Sequence, residues 1–485
     1  MSKAIEGLKP EGLWKFFAEI SQVPRGSKNE KQISNYIMKK AKEFGLEAKQ
    51  DKVLNVVVRK PASPGRENAP RICLQGHLDM VCEKNKDKVH NFEKDPIEIV
   101  RKGNTLMASG TTLGADNGVA VATHLAIMED KSLVHGPLEF LFTVDEETGL
   151  TGANNLKPGF LQSKILMNLD SEEEGALYVG CSGGRNTTGT WTVKLEKAPA
   201  KTVPMLLQVK GLKGGHSGLE IDKGRGNSLK ILNRVLLALL EEGVRIARIE
   251  GGNKSNAIPR EAEALLYVPA LKLKKAKAVV DRLGGVARAE LATVEPDRKV
   301  TLEEAAKEKK PQVWKDADAR KICRALLALP HGVTKMSADI PGLVETSTNL
   351  GVITTGKKDI AVSTSQRSSV ASEIVEIAQG VRAVFELAGA TVTGSDGHPG
   401  WKPNLDSPIL KTAIATYKAL YGKEPEVKAV HAGLECGIIG EKYPGMDMVS
   451  FGPTLEGVHS PDEKIFIDTV EKYWDFLMAI LKNVK

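Results

Sequence analysis

Along the first 180 residues the apolar positions alternate between two spacings. In LWKFFAEISQV (13–23) and NEKQISNYIMKKAKEFG (29–45) they recur every three or four residues, which predicts helices. NVVVRK (55–60) and RICLQG (71–76) are short apolar runs and predict strands. The helix GVAVATHLAIMED (118–130) and the strands LEFLFTV (138–144) and KILMNL (164–169) continue the alternation. Such a series predicts an α/β domain with a mostly parallel central sheet, the kind of sheet that gathers ligands at the carboxyl ends of its strands.

From about residue 185 the texture changes. Longer alternating strands (NTTGTWTVKLE, PMLLQVKGL) and long amphipathic helices (NSLKILNRVLLALLEEG, SEIVEIAQGVRAVFELAG) predict an inserted α+β domain. NKSNAIPREAEALLYV (253–268) and ETSTNLGVITTGKKDIAV (345–362) each place an Asn before a strand, a hint of internal duplication. After the turn-rich GSDGHPGWKPNLDSP the helix–strand alternation returns. The expected organisation is a first segment of one domain over 1–184, an insertion over 185–398 and a second segment over 399–485.

Composition narrows the function classes. At 485 residues the chain exceeds a single core, and 41% hydrophobic with 27% charged residues describes an ordinary soluble protein. MSKAIEGLKPEGLWKFF carries charges throughout and reads as neither a signal peptide nor a membrane anchor. Five scattered cysteines without CxxC spacing argue for a reducing compartment and against a cysteine–zinc site; the expected location is cytoplasmic. The net charge of +7 is spread out, its densest cluster (271–283) has the spacing of a solvated helix face, and only 5% of residues are aromatic. Nucleic acid and membrane are therefore not expected partners.

The chemistry sits where the strands end. RICLQG leads into His77 and Asp79, TTLGADNG puts Asp116 before a helix, LEFLFTV leads into Asp145-Glu146-Glu147, and KILMNL ends at Asp170. Far downstream, His459 follows another strand-like run, MVSF. Singly, each has a structural reading: Asp116 as a helix N-cap, Glu146-Glu147 as a solvated turn, His459 as part of a loop. Together they form an imidazole–carboxylate set suited to zinc and related divalent ions. Two His and three carboxylates exceed one tetrahedral catalytic zinc and suit a pair of ions about 3.5–4 Å apart sharing a carboxylate and a water. Of two adjacent glutamates, one can ligate while its neighbour serves as general base. Asp79 can take the second ring N–H of His77 and fix its tautomer.

GHLDM, TTLGADNG, DEETG, NLDSE, GGHSG and FGPTLEGVHSPDE, in this order, resemble the M20 metallopeptidase family. TTLGADNGVAVA, SNAIPREA, HAGLECG and GGHSGLEIDKGRGNS are similar to its Xaa-His dipeptidase branch, the aminoacyl-histidine or cytosolic non-specific dipeptidases. The resemblance runs from about Pro24-Arg25 to the C-terminus. It implies a zinc-peptidase-like catalytic domain interrupted by a lid, with His77, Asp116, Glu147, Asp170 and His459 as ligands of two zinc ions and Asp116 bridging. It further implies Glu146 as general base, Asp79 as the partner of His77, and His216 of GGHSG approaching the reacting carbonyl, in some members from a partner subunit. Asn256 and Arg367 would hold the substrate carboxylate, and His431 and Glu435 would line the pocket. Manganese and cobalt tolerate similar ligands. The implied activity is hydrolysis of dipeptides, Xaa-His and β-alanyl-histidine among them, by a homodimer. Two alternatives stand beside it: a deacylase of N-acyl amino acids and a non-catalytic metal-bearing peptide binder, which would have no need of Glu146. One departure falls in DKVLNVVV (51–58), where the family tends to have Gly and this chain has Leu54.

Overall fold

The computed structural model describes residues 3–484; Met1, Ser2 and Lys485, at the ends of the expected outer segments, lie outside them. The chain divides into two compact units. The first runs to Gly180 and takes in Pro403–Ala429 and the chain from Leu434 on; the second holds Cys181–Lys402 with Val430–Gly433. These divisions fall a few residues from the expected 184 and 399, and the short return at Val430–Gly433 splits HAGLECG between the units.

The first unit is built on an eight-stranded sheet. Its strands are β1 (Glu47–Gln50), β2 (Val56–Lys60), β3 (Ile72–His77), β4 (Leu138–Thr143), β5 (Ile165–Asn168), β6 (Ala176–Cys181), β7 (Glu426–Val430) and β8 (Asp447–Ser450). Across the sheet they lie in the order β1-β2-β4-β3-β5-β8-β6-β7. The centre, β4-β3-β5-β8, is parallel, whereas β1, β2 and β6 pair antiparallel at the flanks. Every residue of β3 and β4 is buried, as parallel strands covered on both faces must be. The helix Ala115–Glu129, apolar nearly all round, packs on β3 and on the helix Glu11–Ile20. Register aligns His77 with Thr143 and Gln75 with Asn168, so β3, β4 and β5 deliver the residues that follow them to one edge.

The second unit is a nine-stranded antiparallel sheet with helices. Thr202–Lys210 alternates buried and half-buried positions, the pattern of a sheet covered on one face. One βαββαβ series comprises Thr202–Lys210, Ser228–Glu241, Arg245–Gly251, Ala262–Pro269, Leu273–Glu290 and Lys299–Glu304. Its strands lie in spatial order 4-1-3-2. The same series and order recur in Gly183–Thr192, Asp316–Ala328, Val344–Thr355, Asp359–Ser368, Ala371–Leu387 and Thr391–Gly394. The two second strands meet antiparallel at Gly251 and Ile353, which makes the sheet continuous. The two Asn-bearing stretches are not equivalent in the two series: Asn256 lies in the connection before the third strand Ala262–Pro269, whereas Asn349 lies inside the second strand Val344–Thr355.

Candidate active site

His77 closes β3, and the turn after β4 presents Glu146 and Glu147 at the start of a short helix, Glu146–Gly149. That turn is sharp: Asp145 takes a positive φ of 50°, its N–H donates to Glu30 Oε1, and its carboxylate accepts from the hydroxyls of Thr148 and Thr151. Asp116 sits in a non-helical stretch at the head of Ala115–Glu129, and its two carboxylate oxygens face His77 and His459 instead of capping the N–H groups of the first turn. His459 also has a positive φ, 61°.

These residues converge as two trios. His77 meets Asp116 and Asp170; Glu147 and His459 meet Asp116 again. Asp116 turns Oδ1 to His77 Nε2 and Oδ2 to His459 Nε2, both at 3.1 Å. Asp170 Oδ1 lies 3.4 Å from His77 Nε2, and Glu147 Oε2 lies 3.1 Å from His459 Nε2. Ligand atoms bonded tetrahedrally at zinc distances are about 3.3 Å apart, so these four imidazole–carboxylate separations have the span of a metal's coordination edge. Among the described residues, Glu147 Oε1 and Asp170 Oδ1 are buried without a hydrogen bond, open valences that a cation would fill. The donor set and its spacing fit two divalent ions.

Charge tells the same story. Burial works against protonation of His77, yet Asp170, Asp116 and Asp79 raise it well above the ordinary imidazole value. Hydrogen bonds to Asp116 and Glu147 raise His459 to about 11. Burial opposes ionisation of Asp116, but its bonds to His459 and His77 hold it below the usual carboxylate range. Burial pushes Asp170 up to about 6 and Glu172, close by, up to about 8. Too many carboxylates share the site for their own comfort, and the imidazoles take up protons to offset them.

Asp79 lies against the other ring nitrogen of His77. His77 Nδ1 faces the Asp79 carboxylate at 3.3 Å and its backbone oxygen at 3.2 Å; with the ring N–H held there, the Nε2 lone pair faces the trio. The same carboxylate accepts from the N–H groups of Glu146 (3.0 Å) and Glu147 (3.3 Å) and from Ser27 Oγ (2.8 Å), tying the imidazole to the glutamate turn. Glu146 lies beside His77 and Glu147 and outside the trio of Asp116, Glu147 and His459. Burial raises its pKa well above the ordinary value, against the pull of His77.

In the second unit, His216 Nδ1 accepts from the N–H groups of Gly218 (3.3 Å) and Leu219 (3.1 Å), so the ring proton is on Nε2. That nitrogen lies 3.3 Å from Arg367 Nη2. Two donors side by side can together serve one anionic oxygen. Burial, then Arg367, lowers His216 to about 4, which keeps it neutral. Arg367 Nε reaches Ser217 Oγ at 3.4 Å. The exposed Asn256 accepts the Ser217 N–H on its backbone oxygen and lines a groove of about 990 Å³ with His216. His431 is buried and bonded through Nε2 to Ser347 Oγ at 2.7 Å, the residue paired across the strands with Arg367.

The model of peptidase family M20/M25/M40 matches residues 73–483. The chain belongs to this family. It is 42% identical to the cytosol non-specific dipeptidase of Escherichia coli (strain K12) over 98% of each chain. It is similar to the crystal structure of aminoacylhistidine dipeptidase from Vibrio alginolyticus, with a TM-score of 0.92 and 42% identity over 99% of this chain and 98% of that one. The aminopeptidase PepT of Bacillus cereus shares the fold, at a TM-score of 0.57 and 17% identity over 98% of this chain and 99% of that one.

Within this M20 chain, Glu435 stands apart from the other expected pocket residues. It is fully buried in the first unit, where Oε2 accepts from Gln75 Nε2 and Thr143 Oγ1, both at 2.6 Å, beneath the ends of β3 and β4. Burial raises it to about 7. Gln75 and Thr143 were not visible as site residues, because each reads as one polar position in an apolar strand. Arg25 and Glu463 are no more legible: their partners are backbone groups, which leave no side-chain signature in a sequence. The Leu54 departure has a local meaning. Leu54 holds a φ of 80°, the left-handed region where glycine fits best, in a turn that positions the buried Asn55. Asn55 Oδ1 accepts from Val144 N and its Nδ2 donates to Gly152 O, on either side of the glutamate turn.

Proposed function

We propose that this M20 peptidase hydrolyses dipeptides, Xaa-His among them, using two zinc ions held by His77, Asp116, Glu147, Asp170 and His459. The observation that carries the reading is Asp116, which belongs to both trios and offers one carboxylate oxygen to each. Bound ions would polarise the scissile carbonyl and bring the pKa of a shared water near neutrality. Glu146 takes the proton of the attacking water and returns it to the leaving amine; a carboxyl whose pKa burial has raised is suited to both transfers. Asp79 keeps His77 in the tautomer that leaves Nε2 free to ligate.

The second unit's part in this reading is to supply donors to anionic substrate oxygens. His216 Nε2–H serves the oxyanion, and the planar fork of Arg367, with Asn256, serves the free C-terminal carboxylate. His431, steadied by Ser347, lines the same donor cluster, and Glu435 acts through the strand ends that it joins. A clamp on the carboxylate admits one residue beyond the scissile bond, which favours dipeptides over tripeptides. Among the described residues no helix is long and apolar enough to cross a membrane. A cytosolic location, as in the name of the Escherichia coli relative, and a homodimeric state complete the proposal.

The test is a hydrolysis screen over Xaa-His and other dipeptides, tripeptides, dipeptide amides and N-acetyl amino acids, with bound metal measured in parallel. Dipeptides should be cleaved with about two zinc ions per chain. Turnover of N-acetyl amino acids with dipeptides inert would make the chain a deacylase. Metal binding without any turnover would make it a peptide binder. Sedimentation velocity reads the oligomeric state.

A further inference from the structure

Two buried charges that the proposed chemistry does not use bind the backbone of the turn that carries Asp116. Glu463 is one of them, and it accepts four consecutive backbone N–H groups. Oε2 takes those of Leu113 (2.7 Å) and Gly114 (2.9 Å); Oε1 takes those of Ala115 (2.7 Å) and Asp116 itself (3.3 Å). Arg25 is the other. Its Nη2 donates to the Gly114 carbonyl, and its Nη1 donates to the carbonyls of Leu78 and Asp79, each at 3.0 Å. Both side chains are buried, at 2% and 3% exposure, so neither can exchange these bonds for water.

The turn is shaped around the guanidinium. Gly114 has a φ of 69°, and a Cβ there would lie 2.5 Å from Arg25 Nη2; a Cβ at Gly118 would lie 2.6 Å from it. The two charges therefore connect three segments that are remote in sequence. Arg25 binds the backbone of His77–Asp79 to the Asp116 turn, and Glu463 binds that turn to the segment that carries His459 four residues earlier.

We propose that Arg25 and Glu463 are positioning residues that together set the Asp116 carboxylate between His77 and His459, so that both metal ions are held tightly only while this bracket is intact. The proposal rests on the reading of Asp116 as the ligand shared by the two trios. Its physical basis is direct. The Asp116 N–H is one of the four donors, so a change at Glu463 moves the ligand's own backbone. Glu463→Gln would replace one acceptor oxygen with an NH₂ facing two N–H groups, an unsatisfiable contact in a buried site. Groups that orient metal ligands are worth about 10–100-fold in metal affinity.

The experiment is zinc competition against a chromophoric chelator, on full-length protein stripped of metal, with circular dichroism and thermal midpoint of the same samples. Glu463→Gln and Arg25→Lys should bind zinc about 10–100-fold more weakly, with Glu463→Asp intermediate. Their kcat at limiting zinc should fall and recover in excess zinc, a rescue that a purely structural role does not produce. Asp116→Ala is the control for the underlying reading: if it keeps both ions, the site assignment fails, whatever the bracket does. If Asp116→Ala loses zinc while folded Glu463→Gln and Arg25→Lys bind it with wild-type constants, the bracket is overturned, even if their thermal midpoints drop. Should Glu463→Gln not fold, wild-type zinc constants in Glu463→Asp and Arg25→Lys overturn it equally.

Discussion

In the first unit His77 and His459 lie among carboxylates, and both are raised above the ordinary imidazole value, His459 to about 11. In the second unit His216 and His431 are lowered to about 4 and about 3, by burial first and by Arg367 next. The residue type is the same, and the surroundings drive it in opposite directions. One unit surrounds its imidazoles with carboxylates; the other buries them beside a guanidinium. A metallopeptidase needs both: acceptors to hold metal and move protons, and donors for the charge that develops on oxygen and for the substrate's carboxylate. The two sets lie in separate units, so a list of candidate residues that mixes them has no single chemical logic.

The sharpest way to break this contrast is at Asp116, the proposed shared ligand. Asp116→Ala should remove both zinc ions and essentially all activity; elemental analysis showing one ion retained would end the bridging assignment. Next to it, Glu146→Gln should lower kcat by about 10²–10⁴-fold with zinc retained, whereas Glu147→Gln should lose zinc. Equal zinc loss in the two variants would erase the distinction between base and ligand.

Variants of the second unit should leave zinc alone. His216→Ala is expected to lower kcat by about 10²–10³-fold, the range for removing one oxyanion donor, at unchanged metal content. Arg367→Ala should cost about 10–100-fold in kcat/KM on free-acid dipeptides and almost nothing on the already poor amides. Dipeptide amides cleaved as well as free acids would remove the carboxylate clamp.

The opposed histidines also predict opposed pH behaviour. Raised values mean that His77 and His459 carry protons at neutral pH without metal, and zinc must displace them. Apparent zinc affinity should therefore weaken as pH falls from 8 to 6, by about tenfold per unit for each proton displaced. His216, lowered to about 4, is neutral across that range, so His216→Ala should leave the slope unchanged. The smallest effect is expected at Leu54. Leu54→Gly relieves a left-handed backbone but adds unfolded-state entropy and removes a half-buried side chain, so stability should shift by less than about 1 kcal/mol, readable in denaturant midpoints.

The sequence by itself determined the alternation of elements in the first unit and the residues at its strand ends. β3 and β4 are apolar runs because both faces are covered, and a polar residue that ends such a run stands out: His77, Glu146 and Asp170 were legible for that reason. Their pairing was not. Which imidazole meets which carboxylate depends on parallel register and on a turn that brings Asp116 and His459 together across 343 positions of chain. The split of HAGLECG, with His431 in one unit and Glu435 in the other, was equally invisible, because nothing in seven residues says where each will be buried. Arg25 and Glu463 mark the limit most clearly. They act on backbone N–H and C=O groups, which every residue possesses, so only the tertiary structure could decide that these two charges bind the turn that carries Asp116.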